Sequence, residues 1–259
     1  MMSGRRFLVL GAAACALAAG SACQAASRSV AYETRWAGGV RLHVVTVNLN
    51  DPETHITFIL ARRGIGSSEP FASMLHRAHP AAAITGTFFC LRTLLPTGDL
   101  VIEGERVYRG VVGPAIAITP YNKAAYIPSP RGGYERDYAS VICGGPTLVR
   151  DGKIALNPRG EGFTEASLLR AAPRTAVGIT RYNKLLLVAV SRPVRLGQLA
   201  RAMRALGARH AVSMDGGTSA ALAYRGQILV RPHRALTNVL AVYATQKAWQ
   251  QAKARPPVG

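Results

Sequence analysis

The chain is poor in acidic residues and in cysteine. It has 13 Asp and Glu against 32 Lys and Arg, a formal net charge of +19, and only 4 Cys among 259 residues. No cluster of histidines accompanies the cysteines, so the sequence contains no zinc-binding pattern. A dense run of oxygen ligands for calcium is also missing. We therefore expect no cofactor, and a divalent cation is not indicated.

The excess of positive charge favours polyanionic partners such as nucleic acid, anionic lipid headgroups or phosphate-bearing envelope polymers. The basic residues are mostly single arginines scattered along the chain. Neither a long basic run nor a DNA- or RNA-binding motif is present. We expect anionic envelope polymers rather than nucleic acid, and a generally arginine-rich composition is the alternative explanation of the charge.

The apolar run near the N-terminus, residues 7–20, is shorter than the about 20 residues that a membrane span needs. Two arginines precede it and small residues follow it through Ala26. This order is typical of a secretory signal peptide, so residues 1–26 are predicted to be removed and the protein to be periplasmic or extracellular. Cys23 lies where a lipoprotein is lipidated, but Gly20 stands where a larger aliphatic residue is usual, which disfavours a lipid anchor.

Hydrophobic residues make up 49% of the chain, which excludes a disordered protein. Residues 40–49 alternate as a strand does, many short apolar runs indicate further strands, and residues 197–207 have helical spacing. No linker or internal repeat is evident. We predict one α/β (α+β) domain over residues 27–245, with a mixed, strand-rich sheet and a few packing helices, followed by a basic flexible tail over residues 246–259.

One segment joins an apolar run to a single acid and a turn. The run ends at Asp215, and two glycines and two hydroxyl residues follow: Gly216, Gly217, Thr218 and Ser219. Glycines let a ligand approach the main chain closely, and an acid beside such donors is placed to hold or attack a polar substrate. A tight turn with a helix cap is the alternative, because all these residue types favour turns.

Five further segments accompany this one in a fixed order. They are residues 84–89 (ITGTFF), 96–99 (PTGD), 143–149 (CGGPTLV), 173–179 (PRTAVGI) and 234–240 (RALTNVL). In this order, from about residue 44 to about residue 242, the chain resembles the phosphodiester glycosidase family, whose best-known members remove N-acetylglucosamine from a phosphodiester-linked sugar. The resemblance implies a secreted hydrolase that cleaves a sugar from a sugar-1-phosphodiester or a related phosphorylated glycan.

The resemblance also implies candidate roles for residues in these segments. Asp215 is the candidate catalytic base, nucleophile or ligand anchor. Arg174 is the candidate phosphate ligand, because a guanidinium makes paired hydrogen bonds to phosphate oxygens. Asp99 is a candidate second carboxylate of the catalytic site, with a role in a turn as the alternative. The remaining candidates for substrate binding are Thr85, Gly86, Thr87, Phe88, Gly144, Gly145, Thr175, Gly216, Gly217, Thr218, Ser219, Arg234 and Asn238.

Thr85 departs from the family pattern, in which many members have asparagine at this position. Threonine keeps a hydroxyl group but lacks the two donors of an amide. This departure and the strong positive charge motivate an alternative function, a non-catalytic envelope protein that binds anionic phosphorylated glycans in the same pocket.

Removal of the signal peptide would leave two cysteines, Cys90 and Cys143, both within or next to the motif segments. An oxidising compartment would allow them to form a disulfide. Two unpaired thiols are the alternative, because the sequence does not give the distance between their Cα atoms.

Overall fold

The computed structural model describes residues 29–110, 113–128 and 137–254. The predicted signal peptide, residues 1–26, and with it Cys23, lies outside these described residues. Among them the chain forms three β-sheets and four α-helices. No helix in the described ranges is long and apolar enough to cross a membrane.

The first sheet has seven strands. In order across the sheet they are β1 (Val30–Ala37), β2 (Val40–Asn48), β13 (Lys184–Val194), β12 (Ala172–Thr180), β14 (Ala208–Ser213), β10 (Thr147–Arg150) and β11 (Lys153–Ile154). Its central strands are buried on both faces, because alternate residues along them belong to two different hydrophobic clusters. Val177 and Val212 lie in one cluster, whereas Ala176 and Ala211 lie in the other. Such strands form continuous apolar runs.

The second and third sheets have five strands each. The second contains β16 (Gln227–Val230), β15 (Leu222–Tyr224), β4 (Ala82–Thr85), β17 (Asn238–Tyr243) and β3 (His55–Leu60). The third contains β6 (Glu105–Tyr108), β5 (Leu100–Ile102), β9 (Ser140–Cys143), β7 (Ala115–Ile118) and β8 (Ala124–Ile127). One large hydrophobic cluster takes side chains from all three sheets, among them Leu187, Leu240 and Ile142, so the sheets share a core.

The four helices are α1 (Phe71–Ala78), α2 (Ala166–Leu169), α3 (Leu196–Ala205) and α4 (Gln246–Ala254). Helix α3 packs on the first sheet through Leu199 and Met203. Helix α1 packs on the second sheet, where Met74 shares a cluster with Val239 and Tyr243. In both helices the apolar residues recur three or four positions apart, which aligns them on one face.

The prediction of a single α+β domain with many strands and few helices is confirmed. The sheet arrangement differs from the mixed sheet that was expected, since every pair of neighbouring strands in the described ranges is antiparallel. Several of these neighbours, such as β12 and β13, are joined by short hairpins, and a short hairpin can join only antiparallel strands.

The prediction of a flexible tail from residue 246 is wrong for its first nine residues, which form helix α4. The helix is held by Trp249, whose ring stacks on that of His55 at 4.4 Å between centroids and lies 5.5 Å from that of Tyr243. Because the segment is otherwise polar or small, this contact of a single aromatic residue could not be predicted from the sequence. The rest of the predicted tail, residues 255–259, lies outside the described ranges.

Two hairpin turns carry the same six-residue pattern, Ile-Thr-Xaa-Tyr-Asn-Lys, although no repeat was expected from the sequence. The first, Ile118–Lys123, joins β7 to β8, and the second, Ile179–Lys184, joins β12 to β13. We call this pair the twin turns. The repeat is too short to form a structural unit of its own, because six residues make only one hairpin turn.

Candidate active site

The end of β14 and the start of β12 place Asp215 beside Thr175. Ala176 pairs with Ser213 in antiparallel register, so the residues before Ala176 lie alongside those after Ser213. The Thr175 hydroxyl donates a hydrogen bond of 2.6 Å to the Asp215 carbonyl oxygen, and the Met214 N–H donates one of 3.0 Å to the Thr175 carbonyl oxygen. The backbone of the acid is thereby fixed at this edge of the first sheet.

The second sheet meets the same point. Thr85, at the end of β4, pairs with Val239 near the start of β17, so the following residues lie next to Asn238. The Asp215 N–H donates a hydrogen bond of 3.4 Å to the carbonyl oxygen of Gly86. This bond joins the loop after β14 to the loop after β4, and it places Asp215 at the junction of two sheets.

Asn238 holds the turn that follows β4. Its Oδ1 accepts a hydrogen bond of 3.0 Å from the Thr87 N–H, and its Nδ2 donates one of 2.9 Å to the Thr237 hydroxyl. A Cβ atom on Gly86 would lie 1.8 Å from Asn238 Oδ1, so only glycine fits there. Asn238 therefore positions the backbone of this turn, and its side-chain amide is already committed to the protein.

The glycine pair after β9 packs against the strand that leads to Asp215. The Gly145 N–H donates a hydrogen bond of 2.6 Å to the Ser213 carbonyl oxygen, and a Cβ atom on Gly144 would lie 2.5 Å from the same oxygen. Gly145 has φ 145°, and a Cβ atom there would lie 2.2 Å from the ring of Phe163. The glycines are thus required for packing. Phe163 could not be predicted from the sequence, because it is an isolated aromatic residue in a polar loop.

Asp215 is half-buried, and its carboxylate is surrounded by donors and cations. Burial raises its pKa from 3.8 to about 6, and four groups oppose that rise. They are a hydrogen bond from the Ser219 side chain, the charge of Arg234, a 2.9 Å hydrogen bond from the Gly216 N–H and the charge of Arg174. A carboxyl group with this pKa is mostly ionised at pH 7, and its pKa lies close enough to pH 7 for it to accept a proton during a reaction. A general base requires both properties.

Arg174 lies near Asp215 but is only 3% exposed. Its Nη2 donates a hydrogen bond of 2.6 Å to the Leu168 carbonyl oxygen and another to that of Arg170, and its Nε donates one of 3.4 Å to that of Val194. Burial lowers the pKa of this guanidinium, and the charge of Asp215 opposes the shift. Arg174 therefore ties α2 and the end of β13 to β12, and it influences Asp215 through its charge.

Arg234 is half-buried and also lies close enough to Asp215 to lower its pKa. Within the part of the chain that the structure describes, its guanidinium has no hydrogen-bond acceptor. Of the two arginines near Asp215, Arg234 is thus the one whose donors are available to an anion. The sequence favoured Arg174 for that role, because burial and backbone contacts cannot be read from the motif.

The other candidates occupy two environments around Asp215. Thr85 and Thr87 are buried, and the Thr85 N–H donates a hydrogen bond of 3.1 Å to the Ala221 carbonyl oxygen. Gly217 is half-buried, and a Cβ atom on it would meet nothing within 4 Å, while the neighbouring Thr218 is exposed. The open side of the candidate site is therefore formed by the turn after Asp215.

Phe88 is half-buried and faces Phe163, with 6.1 Å between the ring centroids. It follows directly on the turn that Asn238 holds. Phe163 therefore contacts two of the predicted segments, the one that contains Phe88 and the one that contains Gly145.

Asp99 is buried and holds a loop. Its Oδ1 accepts a hydrogen bond of 2.7 Å from the Gly110 N–H. Burial, with the nearby charge of Asp99, raises the pKa of Cys143 to about 12. These contacts support the role in a turn that the sequence left open for Asp99.

Cys90 and Cys143 are both free thiols in the structure, the first exposed and the second buried. The disulfide considered from the sequence is therefore not formed. Over the three described ranges, no group of three or more His, Cys, Asp or Glu residues is arranged to hold a metal ion.

Comparisons with known proteins identify a family and two similar folds. The family model for phosphodiester glycosidases matches residues 78–243. A hypothetical protein from Synechocystis has a similar structure, with a TM-score of 0.74 and 18% identity over 83% of this chain and 62% of that chain. This chain thus spans less than two thirds of the length of the Synechocystis protein.

The catalytic domain of zebrafish N-acetylglucosamine-1-phosphodiester alpha-N-acetylglucosaminidase, auto-inhibited by its pro-peptide, is also similar. Its TM-score is 0.67, with 20% identity over 83% of this chain and 81% of that domain. At such identities, the two likenesses show a shared fold. No match was found among curated proteins.

Proposed function

The chain belongs to the phosphodiester glycosidase family, and we propose that it is a hydrolase that cleaves a sugar from a sugar-1-phosphodiester or a related phosphorylated glycan. The observation that supports this proposal is the position of Asp215. Its half-buried carboxylate, with a pKa raised by burial to about 6, lies at the junction of two sheets close to two arginines.

In the proposed reaction Asp215 is the general base. It takes a proton from a water molecule, whose oxygen forms a bond to the anomeric carbon of the sugar. The bond between that carbon and the phosphate oxygen breaks, and its electron pair leaves with the phosphate monoester. Because a phosphate is already a good leaving group, this reaction depends less on a second carboxyl acid than ordinary glycoside hydrolysis does.

We assign the two arginines different tasks. Arg234, with its donors available, pairs with the phosphate oxygens of the substrate and stabilises the charge of the leaving group. Arg174 positions the site. Its hydrogen bonds hold the segments beside Asp215, and its positive charge favours the ionised carboxylate that a base requires.

The alternative is a protein that binds a phosphorylated glycan in this site without cleaving it. It is motivated by Thr85, which places a buried hydroxyl where many family members have an amide. In that case Arg234 and the turn after Asp215 would still bind the anion, and Asp215 would only anchor the sugar.

We further propose that the protein is exported, with residues 1–26 as a cleaved signal peptide and the domain beginning near residue 27. The sequence order of charge, apolar run and small residues supports this proposal. N-terminal sequencing of the protein from the periplasm and medium tests it. An intact N-terminus in the cytoplasm would contradict it.

The enzymatic proposal is tested by incubating the purified protein with a panel of sugar-1-phosphodiesters, starting with an α-N-acetylglucosamine phosphodiester, and measuring free sugar. The Asp215→Asn variant is expected to lose activity by about 10²- to 10⁴-fold. Asp151→Asn is the matched control, because Asp151 is an exposed carboxylate on another turn. Binding of the panel without release of sugar by the unaltered protein would overturn the hydrolase in favour of the alternative.

A further inference from the structure

The twin turns have the same structure as well as the same sequence. In each, the asparagine is in the left-handed region, with φ 57° at Asn122 and 55° at Asn183. The N–H of each asparagine donates to the carbonyl oxygen of the threonine three positions earlier, at 3.0 and 3.2 Å. The N–H of each following lysine donates to that threonine's hydroxyl, at 3.0 and 3.2 Å. The two turns therefore present the same side chains on the same backbone conformation.

The two turns are bonded to each other and to the body of the protein. Asn183 Nδ2 donates a hydrogen bond of 2.9 Å to the Asn122 carbonyl oxygen, and its Oδ1 accepts one of 3.1 Å from the Ala124 N–H. Asn122 Nδ2 donates a hydrogen bond of 2.7 Å to the Thr54 carbonyl oxygen. The asparagines thus lock the turns side by side, and they leave the tyrosines outside the core.

Tyr121 and Tyr182 are among the most exposed large hydrophobic side chains of the described residues, at 86% and 61%. Three exposed cations flank them: Lys123, Arg181 and Lys184. The Arg181 guanidinium carbon lies 4.6 Å from the centre of the Tyr182 ring. The same guanidinium donates a hydrogen bond to the Tyr182 hydroxyl. Two largely exposed aromatic rings on fixed backbone, each next to cations, therefore form this surface.

Two acidic residues lie in the turn that the Asn122 side chain contacts, and both already accept hydrogen bonds. Asp51 accepts hydrogen bonds from the Ser29 hydroxyl and from the Glu53 N–H, and Glu53 Oε2 accepts one of 3.3 Å from the Gln246 N–H. The three cations of the twin turns therefore outnumber these two carboxylates. Each carboxylate also accepts a hydrogen bond from a group outside the twin turns. The surface is suited to a negatively charged ligand.

The surface is far from Asp215. Strand β12 begins next to the candidate site at Arg174 and Thr175 and ends at the second twin turn. Tyr182 is seven positions after Thr175, and a strand rises about 3.4 Å per residue, so the two lie roughly 20 Å apart. A ligand that reached both would have to be a polymer.

We propose that the twin turns form an accessory binding surface for an anionic polysaccharide. Sugar rings stack on Tyr121 and Tyr182, whose aromatic faces attract the polarised C–H groups of a pyranose, and the anionic groups of the polymer pair with the flanking cations. The choice of a glycan rests on the proposed function. A second copy of this chain is disfavoured as the partner, because each copy carries a formal charge of +19, or +17 once Arg5 and Arg6 are removed with the proposed signal peptide.

The first experiment measures binding of the full chain to alginate, an anionic polyuronate, and to neutral dextran at about 0.15 M salt. The double variant Tyr121→Ala/Tyr182→Ala is expected to weaken alginate binding at least fivefold. Trp36→Ala, which removes an aromatic side chain 73% exposed elsewhere, is expected to leave it unchanged. Equal alginate affinities for the tyrosine variant and the unaltered protein would overturn the proposal, as would dextran binding as tight as that of alginate.

The second experiment separates a defined surface from diffuse charge. Lys123→Gln/Lys184→Gln is compared with Arg201→Gln/Arg204→Gln, which removes two exposed cations from α3. The lysine pair is expected to weaken alginate binding severalfold more than the arginine pair. Equal losses of alginate affinity in the two variants would contradict a specific surface, because binding would then depend only on the total charge of the protein.

Two further measurements fix the partner and its relation to the candidate active site. An oligo(dT) strand that bound more tightly than alginate, in a way that depended on the two tyrosines, would replace the glycan by nucleic acid and overturn the proposal. Asp215→Asn is expected to keep full alginate binding. Because the assay measures binding without turnover, the alginate result can still be interpreted if the proposed enzymatic function proves wrong.

Discussion

Arg174 lies close enough to Asp215 to lower the pKa of that carboxyl group, yet its hydrogen bonds go to the carbonyl oxygens of Leu168, Arg170 and Val194. The guanidinium thus has two effects that can be separated. It holds the backbone around the candidate site, and it contributes a positive charge to the carboxylate. Arg234 contributes charge without the backbone contacts, so the two arginines serve as controls for each other.

The pH dependence of sugar release is expected to follow the ionisation of Asp215. Because its pKa is raised to about 6, kcat/KM should be constant near neutral pH and fall as the pH drops through about 6, up to tenfold per pH unit. A pH–rate profile from about pH 3 to 8 checks this. An acid limb centred near the ordinary pKa of 3.8 would contradict the assignment of Asp215 as base.

The same carboxylate is expected to destabilise the fold at neutral pH. Its pKa is about 6 in the folded protein against 3.8 as the ordinary value, so ionisation is harder in the folded state. The contribution of Asp215 to stability should therefore be largest below about pH 4, decline as the pH rises to about 6, and stay level above it. Asp215→Asn removes this decline and should raise the free energy of unfolding at pH 7 by on the order of 2 kcal/mol.

Urea unfolding of both proteins at pH 4 and pH 7 measures the difference. Asp151→Asn again serves as the control. It should change both curves by less than about 0.5 kcal/mol, because Asp151 is exposed and its ion pair with Arg209 lies on the surface. An Asp215→Asn variant that is less stable than the unaltered protein at pH 7 would show that the hydrogen bonds from Ser219 and Gly216 outweigh the effect of burial.

The two arginines are expected to differ in their effects on stability and on substrate binding. Arg174→Met leaves three carbonyl oxygens without their donors and should lower the free energy of unfolding by about 3 kcal/mol. Arg234→Gln should change it by less than about 0.5 kcal/mol, because the residue is half-buried and lacks such bonds within the described ranges.

On the enzymatic side, Arg234→Gln should lower kcat/KM by roughly 10- to 100-fold through the loss of a charge-assisted pair with phosphate. Inorganic phosphate should compete with the substrate in the unaltered protein and only weakly in this variant. Steady-state kinetics with and without phosphate measure both effects. Unchanged inhibition by phosphate in Arg234→Gln would exclude Arg234 as the phosphate ligand.

Gly86→Ala is expected to damage the site through packing alone. The added Cβ atom would lie 1.8 Å from Asn238 Oδ1, so the turn that Asn238 holds must shift, at a cost of about 1–3 kcal/mol. Gly197→Ala in α3 is the matched control, since the nearest atom to its Cβ would be 3.8 Å away at the end of the Arg201 side chain. Thermal unfolding compares the two, and equal midpoints would show that the turn can move freely.

Local sequence patterns were enough to predict several elements. The alternation in residues 40–49 predicted strand β2, Val40–Asn48, and the spacing in residues 197–207 predicted helix α3, Leu196–Ala205. These signals are strong because each element buries one face or both, and burial imposes a period on the apolar residues.

Contacts between residues that are far apart in the chain could not be predicted from the sequence. The motif identified Asp215, but it could not show that Arg174 would be bonded to three carbonyl oxygens whereas Arg234 would not. Likewise, the polar segment after residue 245 gave no sign that one ring, Trp249, would anchor it against His55. In both cases the deciding partner comes from another part of the chain.

The bond from the Asp215 N–H to the Gly86 carbonyl oxygen crosses from one sheet to the other. Asp215 and the turn that Asn238 holds thus belong to two different sheets. The distance between them depends on how the two sheets pack against each other. A slight slide between the layers would displace the Asp215 carboxylate without exposing any core side chain. We therefore expect the proposed activity to be lost before the protein unfolds.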